Sequence, residues 1–172
     1  MPLAGDVPVV IACHYTGPRP ASANRHVFEF SGPYPVPYRV ADGMPAKNIC
    51  RVTQVTGGST LGYKYFNLER LPDGAAELVL RLKAFGVMGT VEAWLRAPNM
   101  ARGGIRIGSC PLPVAAPAFG DLVVPVKLPL HVRGRQPVYL TFASPVPETP
   151  LCELESLVFR PLDTSCVGVR AE

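Results

Sequence analysis

From residue 77 to residue 84 apolar and polar positions alternate without a break. Leu78, Leu80, Leu82 and Ala84 fall on one side; Glu77, Val79, Arg81 and Lys83 fall on the other. A period of two is the mark of a strand with one face on a core. Residues 90–96 repeat the device, with Val91, Ala93 and Leu95 inward and Glu92, Trp94 and Arg96 outward. Val138, Leu140 and Phe142 share a face in the same way. Further short apolar runs begin at Ile49 and cover 61–68, 104–109, 122–128 and 151–159. Gly and Pro bound these runs, which recur at intervals of about ten residues, whereas helical periodicity is poor throughout. The pattern predicts an all-β fold, an antiparallel β-sandwich or jelly roll.

The first 32 residues read as an N-terminal β-hairpin or strand extension. Residues 7–15 form an apolar strand, 16–24 a turn-rich loop and 25–30 a second strand. A lone hairpin is rarely stable, so this one is expected to pack on something. Residues 32–38, with Pro33, Pro35 and Pro37, are extended: a linker, or a strand covering a sheet edge. The division is thus 1–32 extension, 33–161 sandwich and 162–172 tail.

Composition narrows the classes. The 172 residues suffice for one domain with a full core. An apolar share of 48% against 17% charged excludes a disordered polar chain. Twenty Pro and 16 Gly suit strand-and-turn architecture and would interrupt helices. The net charge of +4 is scattered, with no basic stripe for nucleic acid. No apolar run is long enough for a membrane span, and the first ten residues lack the pattern of a signal peptide. The five cysteines (Cys13, Cys50, Cys110, Cys152, Cys166) form no C-x-x-C pair, so zinc and redox motifs are not supported. Buried thiols and one or two disulfides both remain open.

Three segments carry a resemblance. They are Gly62-Tyr63-Lys64-Tyr65-Phe66-Asn67 after the Gly57-Gly58 turn, Thr90-Val91-Glu92-Ala93-Trp94-Leu95-Arg96-Ala97-Pro98, and the closing strand Cys152-Glu153-Leu154-Glu155-Ser156-Leu157-Val158-Phe159. In this order they resemble a family 6 carbohydrate-binding module, of the kind appended to family 43 glycoside hydrolases (xylosidases and arabinofuranosidases). The likeness spans residues 38–160. It implies a non-catalytic module that stacks plant-type polysaccharide, xylan- or arabinan-like, on aromatic rings. It also implies a glycosidase domain or another protein subunit as partner, and an extracellular setting. Calcium is a common structural ion in the family, but its first-strand glutamates are missing from residues 39–43. Glu155 alone matches the late acid, so no cofactor is expected.

The resemblance points to two surfaces. In the end-loop site Phe119 falls where the second stacking aromatic stands and Glu153 where a hydroxyl-reading Asn stands. No obvious first aromatic stands before Gly57, at the place where the family has one, so the site is incomplete. Phe119 is otherwise a loop residue capping the core. On the sheet face Trp94 is a sugar platform, with Glu92 and Arg96 as hydroxyl readers, unless a hairpin or partner covers it. Tyr63 and Tyr65 share a face with Leu61 and are expected in the core. A glycosidase needs two placed carboxylates, yet Asp42, Asp73, Asp121, Glu148 and Asp163 nearly all stand in turn contexts. No nucleophile motif accompanies His14, His26 or His131. The run Gly103-Gly104-Ile105-Arg106-Ile107-Gly108 leads into a strand, so it lacks the helix dipole of a phosphate loop. The remaining alternative is a degenerate sandwich acting as a structural or protein-interaction domain.

Overall fold

The computed structural model describes residues 7–8, 14–16, 34–38, 49–71, 75–114, 118–132, 134–146 and 148–162. Eight longer strands form the body: β4 (Ile49–Val55), β5 (Thr60–Asn67), β6 (Ala75–Ala84), β7 (Thr90–Leu95), β8 (Ile105–Pro111), β9 (Gly120–Lys127), β10 (Arg135–Ala143) and β11 (Cys152–Pro161). Three short strands precede them: β1 (Val7–Pro8), β2 (His14–Thr16) and β3 (Tyr34–Tyr38). Among the described residues every strand pairing is antiparallel and there is no α-helix.

The order is β2-β5-β10-β7-β8-β9-β6-β11-β4-β3, with β1 beside β11. The all-β, antiparallel expectation holds, but the strands make one continuous sheet that curls over itself. The curl brings Phe66 of β5 onto Phe159 of β11, far apart in the order, with ring centroids 5.5 Å apart in an edge-on arrangement. Leu61, Val91, Leu140, Leu80, Leu154 and Val52 join them in a single apolar core.

The fold line lies between β8 and β9, which share one pair, Gly108 with Val126. A Cβ on Gly108 would stand 2.5 Å from the Pro125 carbonyl oxygen. Glycine therefore permits the backbone approach that turns one half of the sheet onto the other.

The alternation survives in detail. Leu78, Leu80, Leu82 and Ala84 are core residues, as are Val91, Ala93 and Leu95, and Val138, Leu140 and Phe142. One expectation fails on β5. Leu61 and Tyr63 are buried, but Tyr65 is 57% exposed and Phe66 takes the inward place. The pairing with β10 runs from Tyr63–Val138 to Phe66–Gln136, so β5 holds one residue more than its partner. Tyr65 occupies this bulge at φ +57°, and every side chain beyond it changes face.

The N-terminal strands join the sheet at separate places. β1 pairs with β11 (Val7 with Leu157), and β2 pairs with β5 (His14 with Gly62). The second arm of the expected hairpin, 25–30, lies outside the described residues, as does the tail from 163. Residues 34–38, read as linker or edge strand, are the edge strand β3 on β4. Pro35 and Pro37 stand two apart, so both missing N–H groups fall on one side of the strand.

Candidate functional site

Four connections gather at one end of the sheet: 56–59, 85–89, 112–119 and 144–151. The first is a tight turn. Ser59 N–H donates to the Thr56 carbonyl (3.1 Å), Gly58 has φ +85°, and Ser59 Oγ accepts from Thr56 N–H (2.9 Å). Positive φ at the third turn position is why glycine stands there. Gly58 N–H also reaches the Phe142 carbonyl (2.7 Å), tying the turn to β10.

The structure brings both end-loop candidates to this end. Phe119, partly exposed, directly precedes Gly120, which pairs with Leu82. The next residue of β6, Lys83, pairs with Glu153 of β11. Phe119 and Glu153 thus flank the end of β6 with Lys83 between, 34 positions apart in sequence but neighbours through two strand pairings. Lys83 escaped the sequence reading because its position depends on register.

Trp94 stands on the side of β7 away from the core, as alternation requires; the core cluster includes Ala93 and Leu95 but not Trp94. Its exposure, however, is only 5%, so the expectation of an open platform is corrected. Its cross-strand neighbours are Tyr139 on β10 and Arg106 on β8. The indole Nε1–H donates to Thr141 Oγ1 (3.0 Å), and the Thr141 hydroxyl donates to Glu92 Oε2 (3.4 Å). Glu92 Oε1 accepts from an Arg106 guanidinium N–H (2.8 Å). The network draws in the indole edge and commits Glu92 within the protein. Arg106 and Thr141 went unrecognised because they meet Glu92 only across strand pairings. Arg96 follows the last residue of β7 at φ +69°, exposed, with its backbone N–H on the Pro137 carbonyl (3.1 Å). Trp94, Glu92 and Arg96 therefore do not form one sugar-facing row.

The remaining chemistry is limited. Glu155, the late acid of the calcium reading, accepts from Arg81 Nε (2.9 Å). Among the described residues no group of three or more His, Cys, Asp or Glu side chains is placed to hold a metal. The described residues around Glu155 thus bring together no set of oxygen ligands of the kind calcium takes. Cys110 and Cys152 are free thiols. Burial pushes the Cys152 thiol far above its usual range, with Glu153 adding to the shift, and partial burial raises Cys110 as well. Neither is an activated nucleophile. Gly103, at φ +79°, closes a short 3-10 turn and leads into β8, in keeping with the strand expected there.

No protein-family profile matches the chain, and no curated protein sequence does. Its fold is similar to that of a β-1,3-glucan-binding family 6 carbohydrate-binding module from Bacillus halodurans (17% identity, TM-score 0.60, 91% of this chain and 95% of that one). It is similar also to a family 6 module from Clostridium cellulolyticum in complex with xylose (18% identity, TM-score 0.57, 91% and 97%). A family 43 arabinoxylan arabinofuranohydrolase from Bacillus subtilis, in complex with cellotetraose, matches over 76% of this chain (17% identity, TM-score 0.57). The chain spans about a quarter of that enzyme, 24% of its length. At these identities the shared property is the β-sandwich fold of family 6 carbohydrate-binding modules.

Proposed function

We propose that this chain is a non-catalytic carbohydrate-binding module for a plant-type polysaccharide, xylan- or arabinan-like, engaged at the loop end through Phe119. The observation that carries the reading is the likeness to saccharide-binding modules over nearly the whole chain, joined to a partly exposed aromatic beside Glu153 at one sheet end. Phe119 offers a ring face to sugar C–H groups, while Glu153 and Lys83 supply an acceptor and a donor for hydroxyls. Trp94 and Glu92 serve the network on the opposite layer. A catalytic glycosidase domain is the natural partner of such a module.

Affinity electrophoresis in xylan, arabinan and β-1,3-glucan gels tests the reading. The expected result is retardation in xylan or arabinan that Phe119→Ala removes and Tyr65→Ala preserves. Absence of retardation in every gel, or unchanged retardation of Phe119→Ala, overturns it.

A second reading has its own observation. Met88, Val114, Val146 and Phe85, all in connections at the same end, are 78%, 87%, 49% and 39% exposed. Such an apolar rim also suits a protein partner. In that case the module is a packing domain of a larger enzyme or assembly, and Met88→Asp weakens the assembly without changing glycan retardation.

A further inference from the structure

The outward face of β9, β6 and β11, on the layer opposite Trp94, carries a charged row one step below the loop end. Register sets Asp121 of β9 against Arg81 of β6, and Arg81 against Ser156 of β11. The pairing of β11 with β6 passes from Leu154–Leu82 to Ser156–Arg81, so β11 holds one residue more than its partner. Glu155 is that residue, and the bulge brings its carboxylate to Arg81. Arg81 Nε donates to Glu155 Oε2 (2.9 Å), and a terminal nitrogen stands 3.6 Å from Asp121 Oδ1. The Arg81 and Asp121 side chains are each 46% exposed, that of Glu155 only 18%. A groove of about 160 Å3 opens beside them. Val79, Val158 and Ser156 line it but are buried, so a ligand at this end meets the charged side chains instead.

The three charged groups play different parts. Glu155 holds the guanidinium from behind through Nε and fixes its plane. The terminal N–H groups and the Asp121 carboxylate stand side by side and reach water. At 3.6 Å they are too far apart for a direct hydrogen bond. A hydroxyl is donor and acceptor at once. On the solvent side one hydroxyl accepts from the guanidinium and donates to Asp121, as a bridging water does between polar groups beyond bonding distance. The row holds two carboxylates to one guanidinium, and in the row above Lys83 pairs in register with Glu153. This balance of charge suits a neutral hydroxylated ligand over an anionic one.

We propose that Arg81 and Asp121 form a second subsite, which reads a hydroxyl of the sugar unit next to the one on Phe119, in a neutral glycan. Asp121 lies two residues from Phe119 and Arg81 two residues from Lys83, about 7 Å along the strands. A single ring on Phe119 does not extend to this row; a chain continued by one unit does. The inference rests on the loop-end reading for its ligand class and adds two residues which that reading does not contain.

Calorimetric titration of the full chain with xylotetraose and α-1,5-arabinotetraose tests it, with xylose and arabinose followed by NMR titration. Asp121→Ala is expected to weaken tetrasaccharide binding about tenfold, the loss of one hydrogen bond to a charged group, and to leave monosaccharide binding unchanged. Arg81→Lys does the same, because it keeps the charge and loses the planar fork. Phe119→Ala removes both. Tetrasaccharide binding that Phe119→Ala removes, but that Asp121→Ala or Arg81→Lys leaves intact, overturns this inference and leaves the loop-end reading standing. Equal loss of monosaccharide and tetrasaccharide in Asp121→Ala also overturns it, since Asp121 then only holds the Phe119 loop in place. Tetragalacturonate bound as tightly as the neutral tetrasaccharides overturns the neutral class. Binding of no sugar by the unaltered protein sinks both readings.

Discussion

Replacing Thr141 by Val removes one oxygen and should expose how Trp94 is held. The indole is 5% exposed and, among the described residues, its N–H donates to Thr141 Oγ1 alone, at 3.0 Å. Valine keeps the branched shape but offers no acceptor, so the N–H is left buried without a partner. That costs about 1–3 kcal/mol. In a domain of this size each kcal/mol moves Tm by roughly 2–4 °C, so a fall of about 2–12 °C is expected. Glu92 keeps its Arg106 bond at 2.8 Å, so the rest of the network survives. In a Trp94→Phe background the orphaned donor is gone, and Thr141→Val should cost far less; the difference between the two backgrounds isolates the bond. Trp94 is the sole tryptophan, so intrinsic fluorescence reports on it alone. Emission of the unaltered protein should be blue-shifted and protected from acrylamide. Unchanged stability of Thr141→Val, or an indole freely quenched in the unaltered protein, refutes the reasoning.

Two further outcomes follow from the geometry. Gly108→Ala places a methyl 2.5 Å from the Pro125 carbonyl oxygen and 2.9 Å from Val126 Cγ1. It should lower stability by about 1–3 kcal/mol in urea unfolding, whereas Gly120→Ala, whose added Cβ meets nothing within 4 Å, should stay within about 0.5 kcal/mol. Equal effects at the two sites would contradict the fold line at β8–β9. For Cys152, burial raises the thiol pKa in the folded state. The unfolded chain then loses that proton above about pH 8.5 while the native state retains it. This contribution is intact below that pH and declines above it, by up to about 1.4 kcal/mol per pH unit. The stability advantage of the unaltered protein over Cys152→Ala should therefore shrink by about 2 kcal/mol between pH 7 and pH 10. A constant gap between the two would show that Cys152 ionises alike in both states.

The strands themselves were legible because their signal is local. Alternation at 77–84 and 90–96 names the inward residues without reference to any other part of the chain, and Gly57-Gly58 announces its turn through backbone freedom alone. Asn67, quoted as the end of a motif, proves to cap a 3-10 turn by accepting from Glu69 N–H (3.2 Å), another short-range effect.

Tertiary structure decided everything that depends on register or on contact across the sheet. A single extra residue in β5 turned Tyr65 outward and Phe66 inward, and the period of two cannot foresee an insertion fixed by the partner strand. Alternation gave Trp94 its face but not its burial, because the bonds that hold it come from β10, 47 residues further on. Phe119 is brought to the same sheet end as Glu153 only through two pairings with β6, and the groove lined by Val79, Arg81 and Ser156 exists only where three strands lie side by side. One chain dictates which residues seek a core by the free energy of removing them from water; which of the others become neighbours is settled when distant strands choose their registers.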